Sequence, residues 1–368
     1  MLRKTLTSLT LAACAAMGVA QAAQAADAPP LRVYNWSDYI AEDTIPNFTK
    51  QTGIPVTYDV FDSNEVLEGK LLAGHTGYDV VVPSSYFLSR QIQAGVFQKL
   101  DKAMIPNMKG LDPHLMAELA KVDPGNAYGV PYMWGTTGIG YNAKLVKNAL
   151  GADAPLDSWK LVFDPKYVSK LKGCGVAFLD APTDVMPAAL HYLGLNPNSQ
   201  NPADYWKAYQ LMKKVRPYIR YFSSSQYIND LANGNICVAI GWSGDVFQAA
   251  DRASEAKNGV DVTYVIPKEG AQLWFDMLAV PADASHPKEA FKLINYLLSP
   301  KVEAANTNYI SYSNPVPASL QYVEKDIKDN PAIYPPQAVM DKLYTFMTPT
   351  PKITRTMTRL WTRLKTGT

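Results

Sequence analysis

Three short segments of the chain combine aromatic side chains with carboxylates and hydroxyls. Their members are Trp36, Ser37, Asp38 and Tyr39; Gly241, Trp242, Ser243, Gly244 and Asp245; and Trp274, Phe275 and Asp276. Carboxylates attract ammonium groups, and the faces of Trp and Tyr rings accept both methylene carbons and cationic charge. None of these segments supplies the basic residue that an anion would need, and a neutral sugar would not need so many acids. The residue types therefore predict a linear aliphatic cation as ligand.

The positions of these segments favour a shared site. The first follows a predicted strand at residues 31–35, the second follows one at 236–240, and the third lies within one at 273–280. Ligands of α/β proteins bind at strand ends, so three segments of similar chemistry there favour one pocket. The alternative is that the aromatics pack in the core and that Asp38 and Asp245, both ahead of helical patterns, cap helices.

Other kinds of site find little support in the sequence. There is no GxSxG elbow, Walker A motif, HExxH or CxxC, and the four His residues stand apart from other metal-ligating residues. The Gly-rich stretch 135–140 lacks the Lys of a phosphate loop and is interpreted as a crossover between two lobes. We therefore predict no metal, no cofactor and no enzymatic activity. An exported enzyme that uses paired carboxylates on amines or sugars remains the alternative, because acid pairs are recognised by geometry rather than by spacing.

Length and charge narrow the class of protein further. The 368 residues are 47% hydrophobic and 18% charged, which allows one large domain or two lobes with a sizeable core. Lys and Arg total 35 against 33 Asp and Glu, and two of the basic residues, Arg3 and Lys4, lie in the apparent leader. The remaining chain is thus neutral, which argues against nucleic acid or an anionic membrane as the main partner.

The N-terminus has the features of an export signal. Arg3 and Lys4 precede an apolar run at residues 6–20 and an Ala-Gln-Ala motif at 23–25, so we expect a signal peptide at residues 1–25. A lipid anchor at Cys14 is the less favoured alternative, since cleavage there leaves a very short hydrophobic region. Export leaves two cysteines, Cys174 and Cys237, in an oxidising compartment, where they are either a disulfide or two buried thiols.

Hydrophobic patterns predict an α/β fold. Strands at 31–35, 56–60 and 78–82 alternate with helices at 42–51 and 64–73, an order typical of a largely parallel sheet. Asp62 and Glu65 have the spacing of a capping box for the second helix. A second α/β unit begins near Cys174, and strands at 260–266 and 273–280 precede a helix at 287–298.

The chain resembles a known family at several of these segments. Residues 34–39, 60–65, 79–84, 131–142, 178–182, 224–230 and 241–245 are similar to the periplasmic polyamine-binding proteins of ABC uptake systems, the putrescine and spermidine receptors. The resemblance implies a type II periplasmic-binding-protein fold with two mixed-sheet α/β lobes and an interlobe cleft. Lobe I would comprise 26–134 and 258–303, and lobe II 135–257 and 304–368. The implied protein is a periplasmic monomer that delivers polyamine to a membrane permease.

The resemblance also implies roles for individual residues. Those expected to bind ligand include Ser37 and Asp38 at one ammonium end and Asp245 and Asp276 at the opposite side. The aromatic walls of the box would be Trp36, Tyr39, Trp242, Trp274 and Tyr312, with Ser84, Ser224 and Asp184 as polar contacts. Cys174 and Cys237 match a Cys pair of putrescine-type members, which favours the disulfide.

Three departures bear on the choice of ligand. Asp184 stands where putrescine-type relatives often have the longer Glu. Trp274 and Tyr86 stand where putrescine-type relatives tend to have smaller side chains and spermidine-type relatives larger aromatics. More aromatic surface can enclose a longer triamine and its inner nitrogen. The sequence thus favours spermidine, with putrescine as a second ligand.

Overall fold

The computed structural model describes residues 29–367, so the predicted signal peptide and Cys14 lie outside the described residues. Over this range the chain folds into ten strands and sixteen α-helices. The strands are β1 Leu31–Trp36, β2 Val56–Phe61, β3 Val80–Val81, β4 Gly129–Asn142, β5 Val176–Phe178, β6 Tyr221–Phe222, β7 Val238–Trp242, β8 Val262–Val265, β9 Gln272–Ala279 and β10 Tyr344–Thr345. The helices are α1 Thr44–Thr52, α2 Asn64–Ala73, α3 Ser85–Gln93, α4 Pro113–Leu119, α5 Ala143–Leu150, α6 Lys160–Phe163, α7 Pro165–Leu171, α8 Pro182–Tyr192, α9 Pro202–Val215, α10 Gln226–Ala232, α11 Ser243–Ala256, α12 Pro287–Leu297, α13 Pro300–Ile310, α14 Lys325–Lys328, α15 Gln337–Met340 and α16 Pro351–Thr366.

The strands form one continuous mixed sheet, built around the long strands β4 and β9. Its order is β2-β1-β3-β9-β4-β7-β5-β6, with β8 paired to β4 and β10 paired to β9. The early strands β1 to β3 therefore lie on one side of the antiparallel β9-β4 pair, and β5 to β7 lie on the other. This mixed α/β architecture confirms the predicted fold class.

Local sequence explains where the early elements begin and end. Helix α1 stops at Gly53, whose positive φ of 72° suits a residue without a Cβ. Helix α2 begins after Ser63, whose side chain accepts a hydrogen bond from the Val66 amide. The predicted capping box of Asp62 and Glu65 is thus wrong: Ser63 has the extended backbone of an N-cap, which leaves Asp62 free to face the cavity described below.

The Gly-rich stretch 135–140 lies within strand β4 and pairs with β9 on one side and β7 on the other. A Cβ on Gly135 would lie 2.8 Å from Ser243 Oγ and 2.9 Å from the Trp274 ring. Glycine is therefore needed here because an indole ring packs closely against its backbone, rather than as part of a phosphate-binding loop.

A disulfide joins Cys174 and Cys237, the two cysteines expected to remain after export. Cys174 and Cys237 precede β5 and β7, which are neighbouring parallel strands, and their Cα atoms lie 5.5 Å apart. This confirms the predicted disulfide. Within residues 29–367, no helix is long and apolar enough to cross a membrane.

Candidate ligand-binding site

A narrow cavity lies where the ends of β1 and β7 meet strand β9. This cavity, called the slot below, has a volume of about 420 Å³. Its walls are formed by Trp36, Ser37, Tyr39, Asp62, Asn64, Ser84, Tyr86, Ser224, Trp242, Asp245, Trp274, Asp276 and Tyr312. Eleven of these thirteen residues belong to the set expected from the sequence, and the other two are Asp62 and Asn64.

Asp276 supplies a buried carboxylate from strand β9. Ser84 Oγ donates to its Oδ1 at 2.5 Å, and the Tyr39 hydroxyl donates to its Oδ2 at 2.7 Å. Asn64 fixes Ser84, because its amide nitrogen donates to Ser84 Oγ at 2.9 Å and its Oδ1 accepts from the Ser84 backbone at 3.0 Å. The carboxylate is thus held in one orientation by neutral donors.

Asp245 supplies a second buried carboxylate, from the first turn of α11. The hydroxyls of Tyr227 and Tyr312 each donate to it at 2.7 Å. The N-cap residue of α11 is Trp242, so Asp245 does not cap this helix. The ring of Tyr312 packs directly over Gly244, where any side chain would collide with it.

Asp184, in the first turn of α8, lies behind the cavity wall. Its Oδ1 accepts from Thr137 Oγ1 at 2.7 Å and from the Trp242 indole nitrogen at 3.1 Å, while the Tyr86 hydroxyl lies 3.5 Å from its Oδ2. Asp184 is absent from the lining, so in this structure it acts on the cavity through Trp242 and Tyr86.

Burial changes the ionisation of all three carboxyls. Desolvation is the main cause that raises the pKa of Asp245 to about 7 and that of Asp276 to about 7, and it also raises the pKa of Asp184. Their hydrogen-bond donors oppose this effect but carry no charge. Among residues 29–367, no Lys or Arg side chain donates a hydrogen bond to any of the three. The three acids therefore have no ion-pair partner among these residues, although the more distant charge of Arg252 lowers the pKa of Asp245.

Aromatic rings form the remaining walls of the slot. The Trp36 and Trp242 rings meet edge to face with centroids 5.5 Å apart, and Tyr312 contacts both Tyr39 at 5.1 Å and Trp274 at 5.3 Å. The Trp36 indole nitrogen donates to the Val82 carbonyl at 2.9 Å, which fixes the ring at the end of β1. Such an arrangement can enclose methylene groups, and its carboxylates can accept hydrogen bonds from ammonium groups.

Asp38 is the residue of the expected set that points away from the slot. Its backbone has a positive φ of 55°, and its carboxylate pairs with Arg252 Nη2 at 2.6 Å. Arg252 also donates to Asn229 at 2.8 Å, so the ion pair links the turn after β1 to helices α10 and α11. The turn that directs Ser37 and Tyr39 into the slot turns Asp38 outward, and this differs from the expected contact with an ammonium end.

Comparison with known proteins identifies the class of molecule. A family model described as bacterial extracellular solute-binding protein matches residues 44–335. The chain belongs to the bacterial extracellular solute-binding proteins. This solute-binding protein is 57% identical over 364 residues to the putrescine-binding periplasmic protein SpuD of Pseudomonas aeruginosa, covering 99% of this chain and 98% of that protein. It is 56% identical to the putrescine-binding periplasmic protein PotF of Escherichia coli, with 97% of both chains covered.

More distant relatives also match nearly the whole chain. A spermidine/putrescine-binding periplasmic protein of Salmonella typhimurium is 33% identical over 93% of both chains. The solved structure of the spermidine/putrescine ABC transporter substrate-binding protein PotD of Streptococcus pneumoniae is 27% identical, with a TM-score of 0.72 over 92% of this chain and 98% of that one. The solute-binding protein thus has the type II periplasmic-binding-protein fold. Its relatives are named as binding proteins, in agreement with the prediction that it is not an enzyme.

Four residues of the site were not predicted from the sequence. Asp62 and Asn64 follow the end of β2, so the same rule of strand ends applied to them and would have found them. Thr137 lies within the Gly-rich stretch and Tyr227 within α10, and neither position carries a local signal. Their roles depend on which carboxylate the tertiary structure brings to them.

Proposed function

We propose that this solute-binding protein captures polyamines, spermidine and/or putrescine, outside the cytoplasm and delivers them to the permease of an ABC transporter. The observation that carries the proposal is the set of three buried carboxylates, Asp184, Asp245 and Asp276, whose hydrogen-bond donors among residues 29–367 are all neutral. Buried charges require a partner of opposite sign, and an alkyl ammonium supplies both the charge and the hydrogen-bond donors.

The aromatic walls support an aliphatic chain between the charged ends. Trp36, Tyr39, Trp242, Trp274 and Tyr312 surround the slot with ring faces and edges, which favour methylene groups and a cationic nitrogen over a sugar. In the proposed complex, Asp245 and Asp276 bind ammonium groups, and Ser37, Ser84 and Ser224 provide polar contacts. The Ser224 hydroxyl is buried and has no hydrogen-bond partner in the described part of the chain, as expected of a group that binds ligand or water.

The names of the relatives favour one ligand, and the residues that line the slot favour another. The two relatives above 50% identity are named for putrescine, whereas Trp274 and Tyr86 add aromatic surface suited to a longer amine. Both amines share the same end group, so we propose that the site accepts both. The length of the slot decides which of the two amines binds more tightly.

The proposed transport cycle begins with lobes that close over the ligand. Contacts between Trp36 and Trp242 and between Asp38 and Arg252 join residues of the two proposed lobes, 26–134 with 258–303 and 135–257 with 304–368. A cationic ligand that neutralises the acids would favour this closed arrangement, which then docks on the permease. We further propose a monomer, without affinity for nucleic acid, that reaches the periplasm after cleavage behind Ala25.

A thermal-shift panel tests this function. Putrescine, cadaverine and spermidine should raise the melting temperature of the purified protein, because each binds the native state alone, while arginine and maltose should leave it unchanged. Mass spectrometry of spermidine after incubation should recover the amine intact. No shift with any of the three amines would overturn the proposal, and an altered amine would favour the enzyme alternative.

A further inference from the structure

Helices α9 and α16 form a surface with a strong excess of positive charge, called the basic face below. Residues 202–216 and 351–366 together contain nine Lys and Arg residues and a single acid. This face lies at the β6 end of the sheet, where the rings of Trp361 and Phe222 meet with centroids 5.2 Å apart. Residues 31–82, which form the strands at the opposite end, contain eight acids and three basic residues. The neutral total of the chain thus conceals a separation of charge between the two ends.

The two helices lie side by side and form one surface. At one end, the Thr350 amide that precedes α16 donates to Gln200 Oε1, just before α9, at 3.2 Å. At the other end, Arg216 Nε donates to the Leu364 carbonyl at 3.1 Å, so the helices run in the same direction. The depression between their C-terminal ends is bordered by Lys213, Arg216 and Arg363. Positive charge therefore continues from one helix to the other.

The outer side of α16 carries basic residues that are free to meet a partner. Lys352, Arg355 and Arg359 are exposed and fall within about 60° of one another around the helix axis. Lys213 and Lys214 are exposed near the end of α9. Among residues 29–367, none of these five side chains forms an ion pair. Their charges are not neutralised within the described chain.

The composition of this face indicates the kind of partner. Helix α16 turns its apolar side inward, and its buried residues are Ile353, Thr356, Met357, Leu360, Trp361 and Leu364. Apart from Pro351, every exposed residue of this helix is Lys, Arg or Thr. The cores of protein–protein interfaces are poor in Lys and rich in aromatic residues. An anionic bilayer, by contrast, attracts Lys and Arg without apolar contact, so the composition favours a lipid surface.

We propose that the basic face rests on the anionic surface of a phospholipid bilayer and so orients the protein at the membrane. In this orientation the acid-rich end of the sheet, residues 31–82, lies away from the lipid. Each Lys or Arg near an anionic bilayer strengthens binding by about fivefold, and salt screens such contacts beyond about 8 Å at physiological ionic strength. The contact is therefore weak and reversible. It involves a different surface from the slot and goes beyond the proposed capture of polyamines.

Co-sedimentation with lipid vesicles tests the basic face in the exported, processed protein without polyamine. Vesicles of phosphatidylglycerol and phosphatidylcholine in equal parts are compared with vesicles of phosphatidylcholine alone, at low and at high salt. The test variant combines Arg355→Gln with Arg359→Gln. The matched control combines Lys288→Gln with Lys292→Gln, which removes the same charge from exposed positions of α12. Circular dichroism checks that both variants are folded.

The wild type should bind the anionic vesicles at low salt, lose that binding at high salt and ignore the neutral vesicles. The double substitution on α16 should weaken binding by at least about tenfold, and the one on α12 by no more than about twofold. Equal binding to both kinds of vesicle, binding to neither, or equal losses in the two variants would overturn the proposal. Retention on immobilised polyglutamate without binding to anionic vesicles would instead assign the face to an acidic protein. Polyamine binding is measured separately by thermal shift, so failure of one proposal is distinguishable from failure of the other.

Discussion

Substitution of Asp276 by Asn should make the ligand-free protein more stable while it weakens ligand binding. Burial raises the pKa of Asp276 from 3.8 to about 7. Near pH 8 the folded protein therefore ionises this carboxyl at a cost of about 4 kcal/mol, because each tenfold change in an acid dissociation constant corresponds to about 1.4 kcal/mol. Because the folded state holds its proton more tightly than the unfolded chain, stability decreases as pH rises from about 4 to about 7. The Asn side chain is neutral and avoids this cost.

The size of the effect depends on how Ser84 and Tyr39 adapt. Both hydroxyls donate to the carboxylate, and an amide offers only one oxygen, so one hydroxyl must turn to accept from the new amide nitrogen. We therefore expect a net gain of about 1 to 3 kcal/mol in the free energy of unfolding near pH 8. The advantage over wild type should shrink by about 2 to 3 kcal/mol near pH 5, where the wild-type carboxyl is protonated.

Urea denaturation of the ligand-free protein at these two pH values would measure the change in stability, and calorimetry would measure polyamine affinity. Affinity should fall by at least about tenfold with the lost charge. Asp230→Asn is a control of opposite sign: burial raises the pKa of Asp230, but hydrogen bonds from Tyr221, Asn235 and Gln226 lower it overall, so that variant should lose stability at both pH values. An Asp276→Asn protein that is less stable than wild type at both would refute the desolvation argument.

Three further predictions concern other parts of the molecule. Trp242→Ala should weaken polyamine binding at least about tenfold in calorimetry with an unchanged circular dichroism spectrum, since it removes a wall of the slot; unchanged affinity would exclude Trp242 from the site. Asp38→Asn should weaken binding by no more than about fivefold, because its half-exposed ion pair with Arg252 is worth at most about 1 kcal/mol; a larger loss would indicate direct contact with ligand. Reduction of the Cys174–Cys237 disulfide, whose cysteines are 63 residues apart in sequence, should lower the free energy of unfolding by about 4 kcal/mol, and denaturation curves that coincide with and without reductant would contradict this.

Affinity should also depend on pH with a defined sign. Asp245 and Asp276 both have a pKa of about 7 in the ligand-free protein, and an ammonium ligand binds their ionised forms. Calorimetric affinity for putrescine should therefore fall as pH is lowered from about 8 to about 6, with proton release on binding near pH 7. Affinity that stays constant over this range would show that neither carboxyl changes its ionisation when ligand binds.

Local sequence was sufficient to predict the fold class and the kinds of side chain that line the slot. The hydrophobic periods of strands and helices depend on residues that are close in sequence, so the order β1, α1, β2 and α2 could be predicted. The acids and aromatics at strand ends could be identified in the same way. The oxidising compartment favoured a disulfide between Cys174 and Cys237, and the pattern allowed the strands that follow them to be neighbours, as they are in the structure. A family resemblance then supplied most of the residues that line the slot.

Tertiary structure alone decided which side chains meet. Asp276 is bound by Tyr39, 237 positions away in sequence, and Asp245 by Tyr227, a residue with no local signal. The backbone turn after β1 directs Asp38 outward to Arg252, although its neighbours face the slot. Tyr344, Gln272 and Thr137 lie side by side only because the distant strands β10, β9 and β4 pair in this register. The sequence determines the functional group of each residue. Which residues meet across the sheet depends on the order and register of the strands, and no local sequence pattern encodes these.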